Sequence, residues 1–161
     1  MSNLVIKRAT SNDSAVLLSL IHELASYEKA SNRVDVTLEK LNTCLFTAQP
    51  YAYALLASLN DAPVGYAIYF YNYSSYLGKP GIYLEDLYVK PNLRGKNLGK
   101  KILAHLAQHA KEKDCAFISW SVLDWNTSAI EFYNRIGGKP ADCTPYKLSG
   151  DELDKLAEYA N

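Results

Sequence analysis

The sequence predicts a layered α+β or α/β domain in which helices pack on one mixed β-sheet. Its 161 residues fall within the usual size range of a single domain, so we expect one domain over residues 1–161. Two segments rich in aromatic and aliphatic residues flank a turn-forming sequence, which indicates a β-hairpin. Two strand-then-helix units follow the hairpin, and these patterns together favour a single sheet.

The N-terminal segment is predicted to form one strand and two helices. Leu4 to Lys7 is typical of a short strand, and Ser11 to Asp13 offers N-cap groups before apolar residues at helical spacing. Thr37 is a second N-cap, and its helix should end before Gln49-Pro50, because a proline disfavours helical backbone at the residue before it. The apolar residues of the two helices are Val16, Leu17, Leu20, Ile21, Leu24, Leu38, Leu41 and Leu45.

The middle of the chain is predicted to form the hairpin and the first strand–helix unit. Tyr51 to Leu59 and Val64 to Tyr73 should pair as antiparallel strands around the turn sequence Asn60-Asp61-Ala62-Pro63. Gly81 to Lys90 is a further strand, which Pro91-Asn92 ends. An amphipathic helix follows, and its apolar face consists of Leu98, Ile102, Leu103, Leu106 and Ala110.

The last third of the chain carries the second strand–helix unit. Ala116 to Leu123 is predicted to be a strand, and Asn126 to Ile136 a short helix that Gly137-Gly138 stops. Tyr146 to Leu148 is expected to form a last strand fragment, and Gly150 to Ala160 a final helix.

Charge and composition exclude several function classes. Seventeen basic residues balance seventeen acidic ones, so the basic field of a nucleic-acid-binding protein is missing. No apolar run approaches the roughly 18 residues of a membrane helix, and the N-terminus lacks a signal-peptide pattern. Cys44, Cys115 and Cys143 are few and widely separated, which favours reduced thiols. We therefore expect a cytoplasmic protein with neither nucleic acid nor membrane as a partner.

One loop has the properties of an anion-binding site. It lies between the strand that ends at Lys90 and the next predicted helix, and it contains Arg94, Gly95, Lys96, Asn97, Leu98, Gly99 and Lys100. Glycines let backbone N–H groups approach an anion, and the helix N-terminus and basic side chains add positive charge, which suits a pyrophosphate. The spacing matches neither a Walker A loop nor the dinucleotide fingerprint. An ordinary tight turn is the alternative interpretation of the loop taken alone.

In its context the loop resembles the acetyl-CoA motif of the GCN5-related N-acetyltransferase (GNAT) superfamily. Ser74-Ser75 and Val122 to Asn126 resemble the thialysine N-epsilon-acetyltransferase branch of the diamine acetyltransferase family. Several segments are similar to that family as a whole. They are Leu18 to Glu28, Tyr83 to Val89, Val122 to Asn126, and Phe132-Tyr133. The resemblance implies a mainly antiparallel sheet, acetyl-CoA as co-substrate and a homodimer. Asn97 stands where the family usually has a glycine, and Asn is the non-glycine residue that best tolerates positive φ.

The resemblance also implies roles in catalysis. Glu85 is assigned to binding and deprotonating the amine, and Tyr133 to protonating the departing thiolate. Asn126 would contact the pantetheine arm, although N-capping of a helix explains it equally well. The segment Leu87-Tyr88-Val89 would pair with the cofactor like an added strand, and the Leu87 N–H would polarise the acetyl carbonyl.

The amine acceptor is predicted from the positions where relatives differ. Ser74 replaces an aspartate that would attract polyamine cations, and Tyr76 offers a polar aromatic wall. Tyr27, Glu28 and Asp124 are candidates for holding a charged acceptor. A small-molecule, lysine-like amine such as thialysine is therefore expected. A polyamine or peptide acetyltransferase is one alternative, and a non-catalytic acyl-CoA-binding module is another.

Two further patterns carry little weight. His105 and His109 are four residues apart on a predicted helix, but without a third ligand or an HExxH motif they indicate a solvated pair, so no metal is expected. A nucleophilic cysteine, Cys115 or Cys143, would require ping-pong kinetics, whereas the resemblance implies direct attack of the amine on acetyl-CoA.

Overall fold

The computed structural model describes residues 3–160, and Met1, Ser2 and Asn161 lie outside it. The chain forms two compact units, one up to Leu123 and the other from Asp124 onward, and each is described by itself. The expectation of one domain over residues 1–161 therefore stays a prediction.

The first unit is a five-stranded sheet with three helices. Its elements are β1 (Leu4–Arg8), α1 (Ser14–Tyr27), α2 (Leu38–Leu45), β2 (Tyr53–Leu59), β3 (Ala62–Ser74), β4 (Lys79–Val89), α3 (Leu98–Glu112) and β5 (Ile118–Trp120). The strands lie in the order β1-β2-β3-β4-β5. The first four pair antiparallel and β5 pairs parallel to β4, which confirms the predicted mixed, mainly antiparallel α+β fold.

The predicted hairpin is formed by β2 and β3. Asn60 and Asp61 occupy the turn with φ of 50° and 65°. Two positive φ values in a two-residue turn give the twist that antiparallel strands need, and Asn and Asp tolerate this conformation best after glycine. The turn sets the register, in which Leu59 lies opposite Ala62.

Both faces of the sheet are covered by helices. On one face α1 and α2 pack against a core that includes Leu17, Leu20, Tyr66 and Tyr88. On the other face α3 contacts β3 and β4, and its predicted apolar side chains are all buried. Burial of these apolar stripes is the main stabilising term of such a layered fold.

One helix of the first unit, α2, begins where cap chemistry predicts. The Thr37 hydroxyl accepts a hydrogen bond from the Lys40 N–H at 3.2 Å and so caps α2. The longest helix, α3, has 15 residues. Within the described part of the chain, every helix is too short or too polar to span a bilayer.

The second unit contains α4 (Thr127–Arg135) and α5 (Asp151–Ala157). Both helices confirm the predicted ones. The predicted strand fragment from Tyr146 to Leu148 was wrong, because this segment has no regular secondary structure. A strand needs a ladder partner for its backbone groups. Here Tyr146 and Leu148 are 96% and 47% exposed, and no strand lies anywhere in the described part of this unit.

Gly65 lies where β3 approaches the end of β4 most closely. A Cβ added there would lie 2.4 Å from the Tyr88 carbonyl oxygen, which belongs to the backbone of the neighbouring strand and cannot turn away. The absence of a side chain at position 65 therefore permits the pairing of Gly65 with Val89.

Gly65→Ala should lower the free energy of unfolding by about 1–3 kcal/mol, because the new methyl group must push the two strands apart. Thermal unfolding measures the change. Gly78→Ala is the control, since it adds the same methyl group in open space and costs only the positive φ of that turn, about 1 kcal/mol. A Gly65→Ala protein as stable as the wild type would contradict the tight strand contact.

Candidate active site

The predicted anion-binding loop connects β4 to α3. Gly95 has a φ of 77° and Asn97 has φ and ψ of 60° and 13°, so both lie in the left-handed region. The expectation that asparagine tolerates this conformation is confirmed. The charged side chains of Arg94, Lys96 and Lys100 are exposed around this turn.

The N-terminus of α3 leaves backbone donors available. The Asn97 side chain makes no capping hydrogen bond, and the first bond of the helix joins the Lys101 N–H to the Asn97 carbonyl at 3.0 Å. The N–H groups of Leu98, Gly99 and Lys100 therefore lack acceptors inside the helix. Such donors, together with the helix dipole and nearby lysines, favour an anion.

Arg94 folds back over the body of the unit. Its Nε donates a hydrogen bond to the Val89 carbonyl oxygen at 3.1 Å, and its guanidinium carbon lies 4.1 Å from the centroid of the Tyr27 ring. A cation over an aromatic face is attracted by the ring quadrupole. Arg94 thus links the loop, the end of β4 and the C-terminus of α1.

The end of β4 has an open edge. β5 pairs with β4 only from Ile82 to Leu84. The Lys90 N–H donates to the Val64 carbonyl at 2.9 Å on the β3 side. Because N–H directions alternate along a strand, those of Leu87 and Val89 face the opposite edge, which β5 does not reach. These donors are available to an extended ligand that lies alongside the strand.

A β-bulge lies in β4 at Glu85. Ile68 pairs with Asp86 and Tyr69 pairs with Leu84, so Glu85 has no partner in β3. The side chain of Glu85 is exposed, whereas Asp86 is half-buried. Bulges often redirect side chains next to active sites. The bulge brings two consecutive carboxylates to the point where β4 parts from β5.

Asp86 is a site residue that the sequence analysis did not assign. The Tyr66 hydroxyl donates a hydrogen bond to its carboxylate at 3.1 Å. Burial raises the pKa of Asp86 to about 6, the Tyr66 bond opposes that rise, and the negative charges of Glu85 and Glu28 add to it. Burial also raises the pKa of the Tyr66 hydroxyl, with Asp86 adding to the effect. Three carboxylates thus lie within electrostatic range of one another.

Two of these carboxylates, Asp86 and Glu28, line a cleft of about 160 Å³ at the C-terminal end of α1. Apolar residues of α1 form one wall, and the polar residues at the cleft are Glu28, Arg33, Tyr66 and Asp86. Burial raises the pKa of the Glu28 carboxyl. Asp86 was visible in the sequence as an acid in an apolar strand. Arg33 gave no signal, because it follows a polar stretch without a motif.

The remaining predicted acceptor residues of the first unit lie elsewhere. Tyr76 is 99% exposed in the turn that joins β3 to β4. The Ser74 hydroxyl accepts a hydrogen bond from the Leu77 N–H at 3.2 Å and stabilises the same turn. The strand from Lys79 to Glu85 alone spans about 20 Å at the usual rise per residue. The structure therefore does not bring Ser74 or Tyr76 together with Glu85.

Three predicted site residues belong to the second unit. Asn126 caps α4, because its side-chain oxygen accepts a hydrogen bond from the Ala129 N–H at 3.3 Å. Tyr133 is half-buried on α4, with its ring centroid 5.3 Å from that of Phe132. Asp124 is exposed just before this helix.

His105 and His109 were predicted to be a solvated pair, and this prediction was wrong for His109. It is half-buried, its Nε2 lies 2.8 Å from the Tyr71 hydroxyl, and its ring packs against Tyr69. The reason is the position of His109 on the side of α3 that faces β3, whereas His105 is exposed. Burial lowers the pKa of His109.

Comparisons with known proteins find relatives that align over nearly the whole chain. Residues 18–138 match the model of the acetyltransferase (GNAT) family. The chain is 38% identical to thialysine N-epsilon-acetyltransferase of Bos taurus, over 98% of this chain and 99% of that protein. It is 33% identical to the Homo sapiens spermidine/spermine N(1)-acetyltransferase-like protein 1, over 82% of this chain and 20% of that protein. An integron cassette protein from V. cholerae matches the structure with a TM-score of 0.81 and 26% identity, covering 96% of this chain and 98% of that chain.

Asn97→Ala should weaken the loop, because alanine pays about 1–2 kcal/mol for a left-handed backbone. We expect a lower melting temperature and a higher KM for acetyl-CoA. Asn97→Gly is the matched variant, because it also removes the amide but keeps the loop conformation, and its KM should stay near that of the wild type. Equal KM values for the alanine and glycine variants would contradict a role for the backbone conformation.

Asp86→Asn should stabilise the protein above pH 6. The folded state raises the pKa of Asp86 from 3.8 to about 6, so it holds this proton more tightly than the unfolded chain. Stability of the wild type therefore falls as pH rises between these two values and levels off above them. Thermal unfolding between pH 4 and 8 should show an advantage of the variant that shrinks as the pH is lowered. The exposed Glu131→Gln is the control, and a pH-independent difference for Asp86→Asn would count against the buried charge.

Proposed function

Since the chain belongs to the acetyltransferase (GNAT) family, we propose that it transfers the acetyl group of acetyl-CoA to the side-chain amine of a lysine-like amino acid such as thialysine. The observation that carries the proposal is the end of β4, where an open strand edge, an exposed carboxylate and an uncapped helix N-terminus follow one another. This order supplies donors for an extended cofactor and a base for an amine.

Acetyl-CoA is the proposed co-substrate, and its pyrophosphate is assigned to the loop from Arg94 to Lys100. The uncapped N–H groups of α3 and the exposed Lys96 and Lys100 support this assignment. The pantetheine arm is assigned to the open edge at Leu87 and Val89. The side chain of Tyr88 is buried and its hydroxyl donates to Glu23 at 3.0 Å, so its proposed contribution comes from the backbone. No resident metal is part of the proposal.

The proposed reaction is a direct transfer in a ternary complex. An alkyl amine has a pKa near 10.4, so it is almost wholly protonated at neutral pH and must lose a proton before it attacks the thioester. Glu85 accepts that proton, directly or through one water. The Leu87 N–H polarises the acetyl carbonyl, and Tyr133 donates a proton to the departing thiolate.

The acceptor is proposed to be a lysine-like amino acid. Support comes from the thialysine N-epsilon-acetyltransferases, which align over nearly the whole chain. Glu28 is assigned to the acceptor because it lines the cleft beside Asp86. For Tyr27, Ser74, Tyr76 and Asp124, contact with the acceptor stays a prediction.

A homodimer in the cytoplasm is the proposed form of the protein. Apolar side chains in the C-terminal segment are exposed, among them Leu153, Leu156 and Tyr159, and a partner subunit would cover such groups. The three cysteines are free thiols, as in reducing compartments. Light scattering on the purified protein tests the oligomeric state.

Release of free CoA tests the function and its mechanism. We expect rapid release with thialysine, slower release with spermidine and peptide amines, and a loss of about 10²-fold or more in kcat for Glu85→Gln and Tyr133→Phe. Tyr51→Phe is the control for the tyrosine variant, because Tyr51 is 83% exposed and outside the proposed site.

Full rates in both variants would refute the assigned roles. A faster reaction with spermidine or a peptide would favour the alternative acceptors, and binding of acetyl-CoA without CoA release from any amine would indicate a non-catalytic module. Serine variants of Cys115 and Cys143 should keep their activity, because direct attack needs no acyl-enzyme.

A further inference from the structure

The cleft beside β4 contains charges of both signs that are not paired with each other. Arg33, at the end of the short 3-10 turn Ser31–Arg33, is exposed and lines the cleft. Among residues 3–160 it forms no ion pair, and neither do Glu28 and Asp86. The cleft therefore offers one guanidinium and two carboxylates whose charges no neighbouring side chain neutralises.

Glu28 and Asp86 are partly buried, and a partly buried carboxylate is costly when it has no partner. A purely cationic ligand would satisfy Glu28 and Asp86 but would bring a further positive charge towards Arg33. A ligand with an ammonium and a carboxylate would satisfy both signs at once. The planar guanidinium also matches a carboxylate with two parallel hydrogen bonds. The composition of the cleft thus favours a zwitterion.

We propose that this cleft binds the α-amino acid head group of the acceptor, with Arg33 pairing the carboxylate and Asp86 and Glu28 pairing the α-ammonium. The inference rests on the proposed acetyltransferase function and extends it by naming Arg33 as a residue that determines specificity. It assigns the acceptor to amino acids with a side-chain amine, in contrast to diamines and polyamines.

The arrangement of β4 supports this division of roles. Asp86 lines the cleft, whereas Glu85, the preceding residue, is the exposed residue of the bulge. A lysine-like side chain carries its amine several atoms away from the α-carbon. With the head group in the cleft, that amine extends towards Glu85, the proposed base. The Tyr66 hydroxyl holds the Asp86 carboxylate in place from the opposite strand.

Two compounds that differ only by the carboxylate test the role of Arg33. They are thialysine and its decarboxylated analogue, bis(2-aminoethyl) sulfide. For Arg33→Gln we expect kcat/KM with thialysine to fall about tenfold or more, while kcat/KM with the diamine stays within about twofold. Arg33→Lys keeps the charge and should retain part of the preference. Lys40→Gln is the control for net charge, because Lys40 pairs with Asp35 and does not line the cleft.

An equal loss with both compounds would overturn the proposal, because it would indicate a structural role of Arg33. An unchanged preference for thialysine would overturn it as well. Calorimetric binding of the two compounds to wild type and Arg33→Gln keeps the test independent of turnover. If neither compound releases CoA, the proposed function fails, and the binding data still decide the role of Arg33. Weaker binding of thialysine alone to the variant supports the inference, and equal binding by both proteins contradicts it.

Discussion

The parting of β4 from β5 beyond Leu84 is the constraint on which the rest of the site depends. A strand that stayed fully paired would have no backbone donors to offer to a ligand. The bulge at Glu85 marks the place where the separation begins. Beyond the bulge, the N–H groups of Leu87 and Val89 face the edge that β5 does not reach. The strand then continues into the loop and α3. Loss of regular pairing between the last two strands of the sheet thus leaves open the edge that the proposal uses.

The same part of the sheet places ionisable groups close to an apolar core. Asp86 lies on the face covered by α1, near the buried Tyr66 and Tyr88. Tyrosine suits this boundary because its ring packs with apolar neighbours while its hydroxyl reaches a carboxylate. Each of these tyrosines donates to an acid, Tyr66 to Asp86 and Tyr88 to Glu23. Of these two acids, Asp86 lines the cleft, so a tyrosine of the core orients one acid of the site.

Local patterns predicted most of the fold, and long-range pairing explains what they missed. Helical spacing, the Thr37 cap and the Asn60-Asp61 turn act within a few residues, so the sequence alone indicates them. The bulge is different, because apolar residues fill the strand on both sides of the two acids and only pairing with β3 defines the extra residue. The strand predicted from Tyr146 to Leu148 was wrong for a similar reason, because a strand exists only when another strand pairs with it. Folding brings Arg33 to the cleft, and its neighbours in sequence do not indicate this position.

Arg94 has a consequence for the energetics of the two substrates. Its guanidinium lies on the ring of Tyr27, the last residue of α1, and Glu28 at the cleft follows directly. One side chain thus connects the loop to which we assign the pyrophosphate with the helix end beside the proposed acceptor cleft. Thermodynamic linkage between two binding sites is reciprocal. If a bound cofactor favours one position of Tyr27 and the acceptor binds best to that same position, each ligand raises the affinity for the other by the same factor. Cooperativity between the two ligands would then be a property of this single stacked pair.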